Sequence, residues 1–497
     1  MSIKEPFMMR ALETLPAITS WVLLTSPIWA SFFIPVIVAY YIILFDLYFF
    51  IRSASLGINA VRGYIKIQQT IKMDWENKLK AYSTDIEHVR HVIFIPTYKE
   101  PTEILQRTLS FLSEQEFPAK QINICLATEE REKGVSKKAE ELRKQFGGKF
   151  GNFWITNHKL SPGEVIGKSS NLAYAAKEIE KKITQASYDK NFIIATSCDA
   201  DVSLHPKYLP VLTYEFLTNP NRYYRFWQAA ILFYNNIWRV PIFIRVVHTI
   251  YSINGVASLM SPGANFNYST YSLSWKLLER SDYWDADVIP EDWHLFFKSF
   301  FKERGEIELE SIFLTHFADA VEGKNYWDAI KAQYLQSRRW AWGVTDIAYA
   351  IKQFILHRRE VSFINFSFRF LRALEQHLLW PVNWWFLTLG ATLPPIINPT
   401  FRYTNLGYNL PKIAAFILTF AIIFLIFVII VDWLLKPPRP AYFKKTLLPF
   451  TIIQYVLLPV TGFIFSSLPG MDAHTRLIFG KRLEYKSTEK FIKPKGK

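Results

Sequence analysis

Two long runs of apolar residues constrain the fold of this chain more than any other feature. Residues 17–51 contain Asp46 as their only charged residue, and residues 412–435 read KIAAFILTFAIIFLIFVIIVDWLL. A helix needs about 20 predominantly apolar residues to cross a lipid bilayer. Runs of this length and composition favour membrane segments over helices of a water-soluble core. The sequence therefore predicts an integral membrane protein.

Membrane segments are expected near both ends of the chain. At the N-terminal end we predict a full helix over about 29–51 and a shorter one before it, divided from it at Pro27. Three further apolar segments lie near 378–398, 412–435 and 446–468. Three full crossings would place the basic tail opposite the soluble part. We expect the tail on the same side, so that either 446–468 re-enters without crossing or the amphipathic region 360–377 adds to the membrane part.

The formal net charge of +15 is distributed beside the apolar segments. Lys and Arg next to membrane segments mark cytoplasmic flanks and attract anionic lipid headgroups. The connector 436–445, with four Lys or Arg, is therefore expected to face the cytoplasm. We predict an integral protein of the cell membrane with membrane lipids, and no nucleic acid, among its partners. The two cysteines, Cys125 and Cys198, exclude a disulfide-stapled scaffold and a multi-cysteine zinc module.

The part between residues 88 and 345 alternates short β-rich runs with helical patterns. The runs are HVIFIP at 91–96, INICLA at 122–127, FWIT at 153–156 and NFIIATS at 191–197. This alternation predicts a mostly parallel sheet with helices on both faces. Ligands of such sheets bind at the carboxyl ends of the strands. No glycine-rich phosphate loop follows a strand, so a dinucleotide fold or a P-loop is not supported.

These patterns divide the chain into six parts. They are an N-terminal membrane part (1–55), a linker or amphipathic helix (56–87), a cytoplasmic α/β domain (88–345), interfacial amphipathic helices (346–377), C-terminal transmembrane helices (378–468) and a basic cytoplasmic tail (469–497).

Acidic residues follow the fourth run and precede a later helix. Asp199 and Asp201 alternate along an extended segment, where they are either a solvated turn or ligands of a hard divalent cation that grips a diphosphate. Glu291 and Asp292 precede a helix rich in aromatic residues. One of the two is explained as a helix cap, and the other is a candidate general base. His294, close behind, is interpreted as a packed or capping residue.

The stretch QYLQSRRWAWG at 333–343 mixes guanidinium groups with indoles. It is either an interfacial helix, with Trp at the headgroup level and Arg extending to the surface, or a pyrophosphate clamp beside an aromatic platform for a sugar ring.

In this order, Asp199–Ala200–Asp201, Glu291–Asp292 and the Q-x-x-R-W pattern from Gln336 to Trp340 resemble the membrane-bound family 2 glycosyltransferases. This group contains cellulose, chitin and hyaluronan synthases and ceramide glucosyltransferases. The resemblance covers about 88–345 in motif and the flanking helices in layout. It implies a GT-A-type α/β domain, with a mostly parallel, Rossmann-like sheet, flanked by transmembrane α-helices.

The resemblance also implies a reaction: inverting, metal-dependent transfer of a sugar from a nucleotide-sugar donor, with a UDP-sugar expected first, to a growing polysaccharide at the membrane. Asp292, with Glu291 beside it, is the implied catalytic base, and Trp340 is implied in acceptor binding. Asp201 and Asp199 are the implied ligands of Mg²⁺ or Mn²⁺. The residues implied in donor binding are Thr97, Tyr98, Glu100, Glu129, Lys168, Asn171, Asp199, Gln336 and Arg339.

One position departs from the family pattern. After the second run the chain has Thr128, Glu129 and Glu130 where the family commonly has an aspartate pair, which leaves the nucleotide open. Two other functions also remain open: a single-addition glycosyltransferase that makes a glycolipid, and an inactive membrane scaffold that binds a sugar nucleotide. A transporter is disfavoured, because it would leave the α/β part without a role.

Overall fold

The computed structural model describes residues 4–441, 443, 449–481 and 483 of the 497-residue chain. Most of the basic tail expected at 469–497 lies outside the described residues.

The N-terminal apolar run forms two long helices, α1 (Lys4–Phe33) and α2 (Pro35–Lys72). The predicted division at Pro27 is wrong, because the chain turns at Ile34, directly before Pro35. Pro27 is tolerated inside α1, since the Ser26 hydroxyl donates to Leu23 O (2.8 Å), the carbonyl whose helical donor Pro27 removes. The predicted helix over 29–51 is accordingly replaced by a 38-residue helix that continues to Lys72.

Between these helices and the C-terminal ones lies an α/β domain built on a seven-stranded sheet of order β3-β2-β1-β4-β6-β5-β7. The elements are α3 (Trp75–Lys80), α4 (Ser83–His88), β1 (Arg90–Pro96), α5 (Thr102–Ser113), β2 (Ile122–Glu129), α6 (Val135–Phe146), β3 (Asn152–His158), α7 (Lys168–Gln185), β4 (Ile193–Ser197), α8 (Tyr208–Thr218), β5 (Arg225–Leu232), α9 (Ile242–Ser258), β6 (Tyr271–Ser274), α10 (Trp275–Arg280), α11 (Glu291–Lys302), β7 (Glu308–Phe317), α12 (Tyr326–Ala341) and α13 (Thr345–His357).

The four predicted strands are confirmed as β1 to β4, which pair in parallel. The sheet as a whole is mixed, because β6 runs antiparallel between β4 and β5. Two buried apolar clusters cover its two faces. One contains Ile93, Leu126 and Trp227, and the other contains Phe94, Leu273 and Phe296. Adjacent side chains of a strand point to opposite faces, and Ile93 and Phe94 show this alternation.

The C-terminal part is helical: α14 (Phe363–Leu389), α15 (Leu393–Ile397), α16 (Pro399–Arg402), α17 (Asn405–Leu435), α18 (Phe450–Ile453), α19 (Leu458–Gly462) and α20 (Leu468–Ile478). The apolar segment predicted at 378–398 is therefore not a separate helix, because α14 begins at Phe363 and joins it to the amphipathic region. A turn of 3-10 helix at 390–392 follows α14. Among the described residues, four helical stretches are long and apolar enough to cross a membrane: Met8–Phe33, Pro35–Lys72, Asn405–Leu435 and Phe450–Ile478.

Contacts fix how the last of these stretches runs. Near its start, the Tyr455 hydroxyl donates to Asp432 (2.8 Å), close to the end of α17. At its end, Arg10, in the first turns of α1, donates to Ile478 O (3.0 Å). At the other end of α1, Asn398 Nδ2 donates to Ser31 O (3.2 Å), so the start of α17 lies by the turn between α1 and α2. Both ends of the stretch therefore lie on the side of the α/β domain.

The long helix α2 packs directly on the α/β domain. A Cβ atom built on Gly63 lies 2.5 Å from the backbone O of Val256 in α9, a distance that real Cβ atoms do not show. Only glycine allows the two helices to approach this closely. This contact sets the distance between the membrane part and the sheet.

We expect Gly63→Ala to destabilise the protein by about 1–3 kcal/mol, the usual cost of overpacking. The backbone carbonyl of Val256 cannot rotate away as a flexible side chain can. The cost of this steric overlap therefore exceeds the roughly 1 kcal/mol of stability that alanine gains over glycine through its higher helix propensity. Thermal unfolding of detergent-purified protein measures the effect. Gly148→Ala is the control, because a Cβ at exposed Gly148 meets nothing within 4 Å. Equal unfolding temperatures for the two variants would contradict the close approach.

Candidate functional site

The implied site residues come from elements that meet at the carboxyl ends of the parallel strands. Thr97, Tyr98 and Glu100 follow β1, Glu129 ends β2, and Asp199 and Asp201 follow β4. Lys168 and Asn171 lie in the first turn of α7, and Glu291 and Asp292 begin α11. The fold thus brings together at one edge residues that are almost 200 positions apart in the chain.

Lys168 joins two of these carboxylates. Its Nζ lies 2.7 Å from Asp199 Oδ1 and 2.7 Å from Glu291 Oε1. Burial opposes the charged form of the lysine, but Asp199 and Glu291 outweigh this effect and hold the Lys168 pKa well above its usual value. Burial, reinforced by Asp292 and Asp199 and opposed by Lys168, raises the pKa of Glu291 to about 7. Lys168, Asp199 and Glu291 therefore form a partly enclosed ionic centre.

Ser269 uses all three of its polar groups in this centre. Its hydroxyl donates to Asp199 Oδ2, its backbone N–H donates to Asp292 Oδ2 (3.2 Å), and its carbonyl accepts from Lys168 Nζ (2.8 Å). Its backbone is left-handed, with a φ of 56°, a conformation that non-glycine residues adopt rarely and at some cost. Ser269 thus connects the segment after β4 with the first turns of α7 and α11.

Asp292 has the geometry expected of a general base. Each carboxylate oxygen has a backbone N–H donor: Ser269 on Oδ2 and Trp293 on Oδ1 (2.8 Å). The Asn267 side chain donates to the Asp292 carbonyl (3.0 Å) and holds the start of α11. Burial raises the pKa of Asp292, against the lowering effects of Lys168 and of these N–H groups. The carboxyl is therefore oriented and more basic than an exposed aspartate.

A network of charged side chains surrounds His294, which lies two residues after Asp292 in α11. His294 Nδ1 lies 2.8 Å from Asp346 in α13, and Nε2 lies 3.1 Å from Asp285, which also pairs with Lys298 (2.6 Å). Burial disfavours the imidazolium, but the two carboxylates prevail and raise the pKa of His294 to about 9. The packed residue expected from the sequence is therefore a charged tie between α11 and α13.

The turn after β1 is organised around Glu100, which accepts from the Thr97 hydroxyl (2.7 Å) and from the Tyr98 backbone N–H. Glu129 pairs with Arg131, whose guanidinium lies 4.0 Å from the centre of the Tyr98 ring. These contacts place the predicted nucleotide-binding residues around one turn: Thr97, Tyr98, Glu100 and Glu129. Of these, Glu129 already forms an ion pair with Arg131.

Asn171 has a structural task at the same edge. Its Nδ2 donates to Ala127 O (2.8 Å), the carbonyl that also accepts from the backbone N–H of Thr97 (2.9 Å). Asn171 Oδ1 is buried and has no hydrogen-bond partner among the described residues. The residue therefore ties α7 to the ends of β1 and β2 and keeps one acceptor atom available.

The Q-x-x-R-W residues lie in the last two turns of α12. Gln336 is buried, and its Oε1 lacks a hydrogen-bond partner within the described part of the chain. The Trp340 ring lies 5.5 Å from that of Tyr251 and 6.3 Å from that of Phe233. Arg338, between them, pairs with Asp472 in α20 (2.8 Å). Arg338, at a variable position of the Q-x-x-R-W pattern, therefore connects α12 to α20, and Arg339 is the arginine at its fixed position.

The carboxylates of Asp199 and Asp201 suit a divalent cation only in combination with further oxygen ligands. No group of three or more His, Cys, Asp or Glu residues among those described forms a metal site. Asp201 accepts from the backbone N–H of Asp319 (3.2 Å), and Asp199 is held by Lys168 and Ser269. Two hard oxygen donors at a strand end fit Mg²⁺ or Mn²⁺ when phosphate and water supply the remaining ligands. The donor set thus fits a cation that arrives with a diphosphate.

Sequence reasoning did not find Ser269, Asp285 or Asp346. Asp285 begins a second D-A-D tripeptide, Asp285–Ala286–Asp287, which the sequence analysis did not weigh, and Asp346 is a single acidic residue in an otherwise uncharged segment. Ser269 belongs to none of the predicted motifs, and its left-handed backbone cannot be read from its residue type.

Comparisons with known proteins give the following matches. No protein-family model matches the chain, and no curated protein matches it. Among solved structures, it is similar to the mannosyltransferase PcManGT from Pyrobaculum calidifontis in complex with GDP-Man and Mn²⁺, with 13% identity, a TM-score of 0.45 and coverage of 88% of this chain and 100% of that one. It is also similar to S. aureus TarS 1-349 in complex with UDP-GlcNAc, with 13% identity, a TM-score of 0.31 and coverage of 67% and 90%.

We expect Lys168→Gln to destabilise the protein by about 3–5 kcal/mol, because it leaves two partly buried carboxylates without their counter-ion. Chemical denaturation of the purified protein measures the loss. Lys181→Gln, which removes an exposed pair with Glu178, is the control and should change nothing measurable. Similar stabilities for both variants would show that Lys168 is not the counter-ion of the centre.

The raised pKa of His294 predicts a pH-dependent contribution to stability. Since its folded value is about 9 and its ordinary value 6.5, the contribution is complete below about pH 6.5 and is lost as the pH rises through about 9. The stability difference between the natural protein and His294→Gln should shrink across this window. His88→Gln, at an exposed position, is the control variant. A constant difference for His294→Gln would contradict the charged tie.

Proposed function

We propose that this protein transfers a sugar from a nucleotide-sugar donor to an acceptor at the membrane. The observation that carries the proposal is the position of Asp292. Its carboxyl is oriented by two backbone N–H groups and is connected through Ser269 to the ionic centre of Lys168 and Asp199. A base beside a centre of one ammonium group and several carboxylates suits a single displacement at an anomeric carbon, in which a cation and a diphosphate bind together.

The reaction assigned to these groups is an inverting displacement. Asp292 accepts the proton of an acceptor hydroxyl as that oxygen attacks the anomeric carbon of the donor sugar. The bond between this carbon and the diphosphate oxygen breaks, and the nucleoside diphosphate leaves with the electron pair. Lys168 and Arg339 offset its charge. No covalent intermediate with the enzyme is needed, because one displacement gives the product.

Asp201 and Asp199 are the proposed ligands of Mg²⁺ or Mn²⁺, which would neutralise charge on the leaving diphosphate. Around Lys168 the carboxylates Asp199, Glu291 and Asp292 outnumber the single ammonium group. This excess of negative charge favours binding of a further cation. Thr97, Tyr98, Glu100, Glu129 and Asn171, with Gln336, are proposed to surround the nucleotide and donor sugar.

Trp340 is the proposed acceptor platform, and a growing polysaccharide is the proposed acceptor. The Trp340 indole is half-buried between Tyr251 and Phe233. An aromatic face of this kind suits the apolar face of a sugar ring. A single-addition enzyme that makes a glycolipid is the other candidate. Product size after prolonged incubation with donor separates the two, since only polymer synthesis gives a ladder of lengths.

We expect Asp292→Asn to lower the rate of nucleoside diphosphate release by about 10²–10⁴-fold, because the amide cannot accept the proton. Release is measured with a panel of UDP- and GDP-sugars in the presence of Mg²⁺ or Mn²⁺. Asp287→Asn is the matched control, since Asp287 is exposed five residues earlier.

Donor binding by Asp292→Asn should persist, since the lost proton acceptor faces the other substrate. Binding of donor without release by the natural protein would instead support the inactive scaffold. Equal release by both aspartate variants would remove Asp292 as the base.

A further inference from the structure

A cavity of about 360 Å³ lies outside the site, where α17 ends. It does not include any residue proposed to take part in sugar transfer. Its walls come from the last turn of α17, the connector that follows it and the loop after β5. They combine indole rings, prolines and basic side chains: Trp238, Trp433, Lys436, Pro437, Pro438 and Arg439.

The position of the cavity along α17 places it at the headgroup level of a membrane. The apolar run of α17 ends at Leu435, directly before Lys436. Leu434, beside the cavity, is 55% exposed, as expected of a side chain that faces acyl chains. Trp residues concentrate where the hydrocarbon region meets the headgroups. The rings of Trp238 and Trp433 therefore lie at the depth of lipid phosphates.

The cavity carries an excess of positive charge. Lys436 is buried and is neutralised by Asp432, one helical turn earlier. Arg439 is exposed, and its guanidinium lies 4.6 Å from the ring centre of Trp433 and 5.6 Å from that of Trp238. Among the described residues, no carboxylate pairs with Arg439. A guanidinium that stacks on indole faces keeps its N–H edges available for phosphate oxygens.

The walls are held in place without a ligand. The indole N–H of Trp238 donates to Pro437 O (3.1 Å). The backbone N–H of Lys436 donates to Asp432 O (2.9 Å), and two prolines follow and restrict the connector. A cavity that is already formed costs little conformational entropy on binding. Its volume lies in the range of small-molecule sites.

We propose that this cavity binds the phosphate headgroup of an anionic phospholipid. Arg439 contacts the phosphate, the two indoles lie beside the glycerol region, and the acyl chains follow the exposed apolar face of α17. The proposal does not depend on the reaction proposed above, because it concerns a separate surface of the protein.

The test titrates the detergent-purified full chain with short-chain phosphatidylglycerol, with phosphatidylcholine of the same chains, and with inorganic phosphate, and counts bound lipids by native mass spectrometry. We expect tighter binding of phosphatidylglycerol than of phosphatidylcholine. Arg439→Gln should weaken the binding of phosphatidylglycerol about five-fold, the effect of one basic residue near an anionic surface. Exposed Arg358→Gln, at the end of α13, is the matched control and should bind like the natural protein.

Three outcomes would overturn the proposal. The first is equal affinity for the two lipids, and the second is an equal loss in Arg439→Gln and Arg358→Gln, which would indicate general surface charge. The third is displacement of the lipid by inorganic phosphate, which would assign the cavity to a free phosphate. Intact thermal unfolding of Arg439→Gln would show that a loss of binding does not come from misfolding.

Discussion

The arrangement of the candidate site depends on one interaction, the contact of Lys168 with two carboxylates and one carbonyl. Asp199 belongs to the segment after β4, Glu291 to the first turn of α11, and the carbonyl to Ser269 before β6. No local propensity brings these segments together. A lysine with three partners satisfies groups that would each be costly to bury alone. The position of Asp292, next to Glu291 and bonded to Ser269, follows from this contact.

The long apolar helices α2 and α17 contact the α/β domain near this edge. Gly63 allows α2 to approach α9, and Asp432 in α17 accepts from Tyr234, directly after β5. The loop that begins with Tyr234 also holds the site, because Asn235 donates to the carbonyl of Asp201 (3.1 Å). One short loop thus connects the end of α17 to a proposed metal ligand. The α/β domain and the helices are therefore one packed unit at this point, rather than a domain on a flexible tether.

The sequence predicted the four parallel strands well, because short, continuous apolar runs between helical patterns are typical of buried strands. It did not predict β5, β6 and β7 as members of the same sheet. The antiparallel β6 is a four-residue strand whose pairing is set by β4 and β5, which are distant in sequence. The helix break was misplaced for a similar reason. Whether a proline ends a helix depends on what satisfies the freed carbonyl, and Ser26 does so for Pro27 within the helix itself.

The sequence by itself determined the long apolar helices, the α/β alternation and the types of residue at the strand ends, because these follow from composition and periodicity. It also nominated Asp199, Lys168 and Asp292 by residue type and order. Only the tertiary structure decided which of them meet. It paired Arg338 with Asp472, gave Asn171 a structural hydrogen bond, made Ser269 part of the ionic centre, and paired His294 with Asp346. These outcomes depend on distances between segments far apart in the chain, which packing sets and local patterns do not contain.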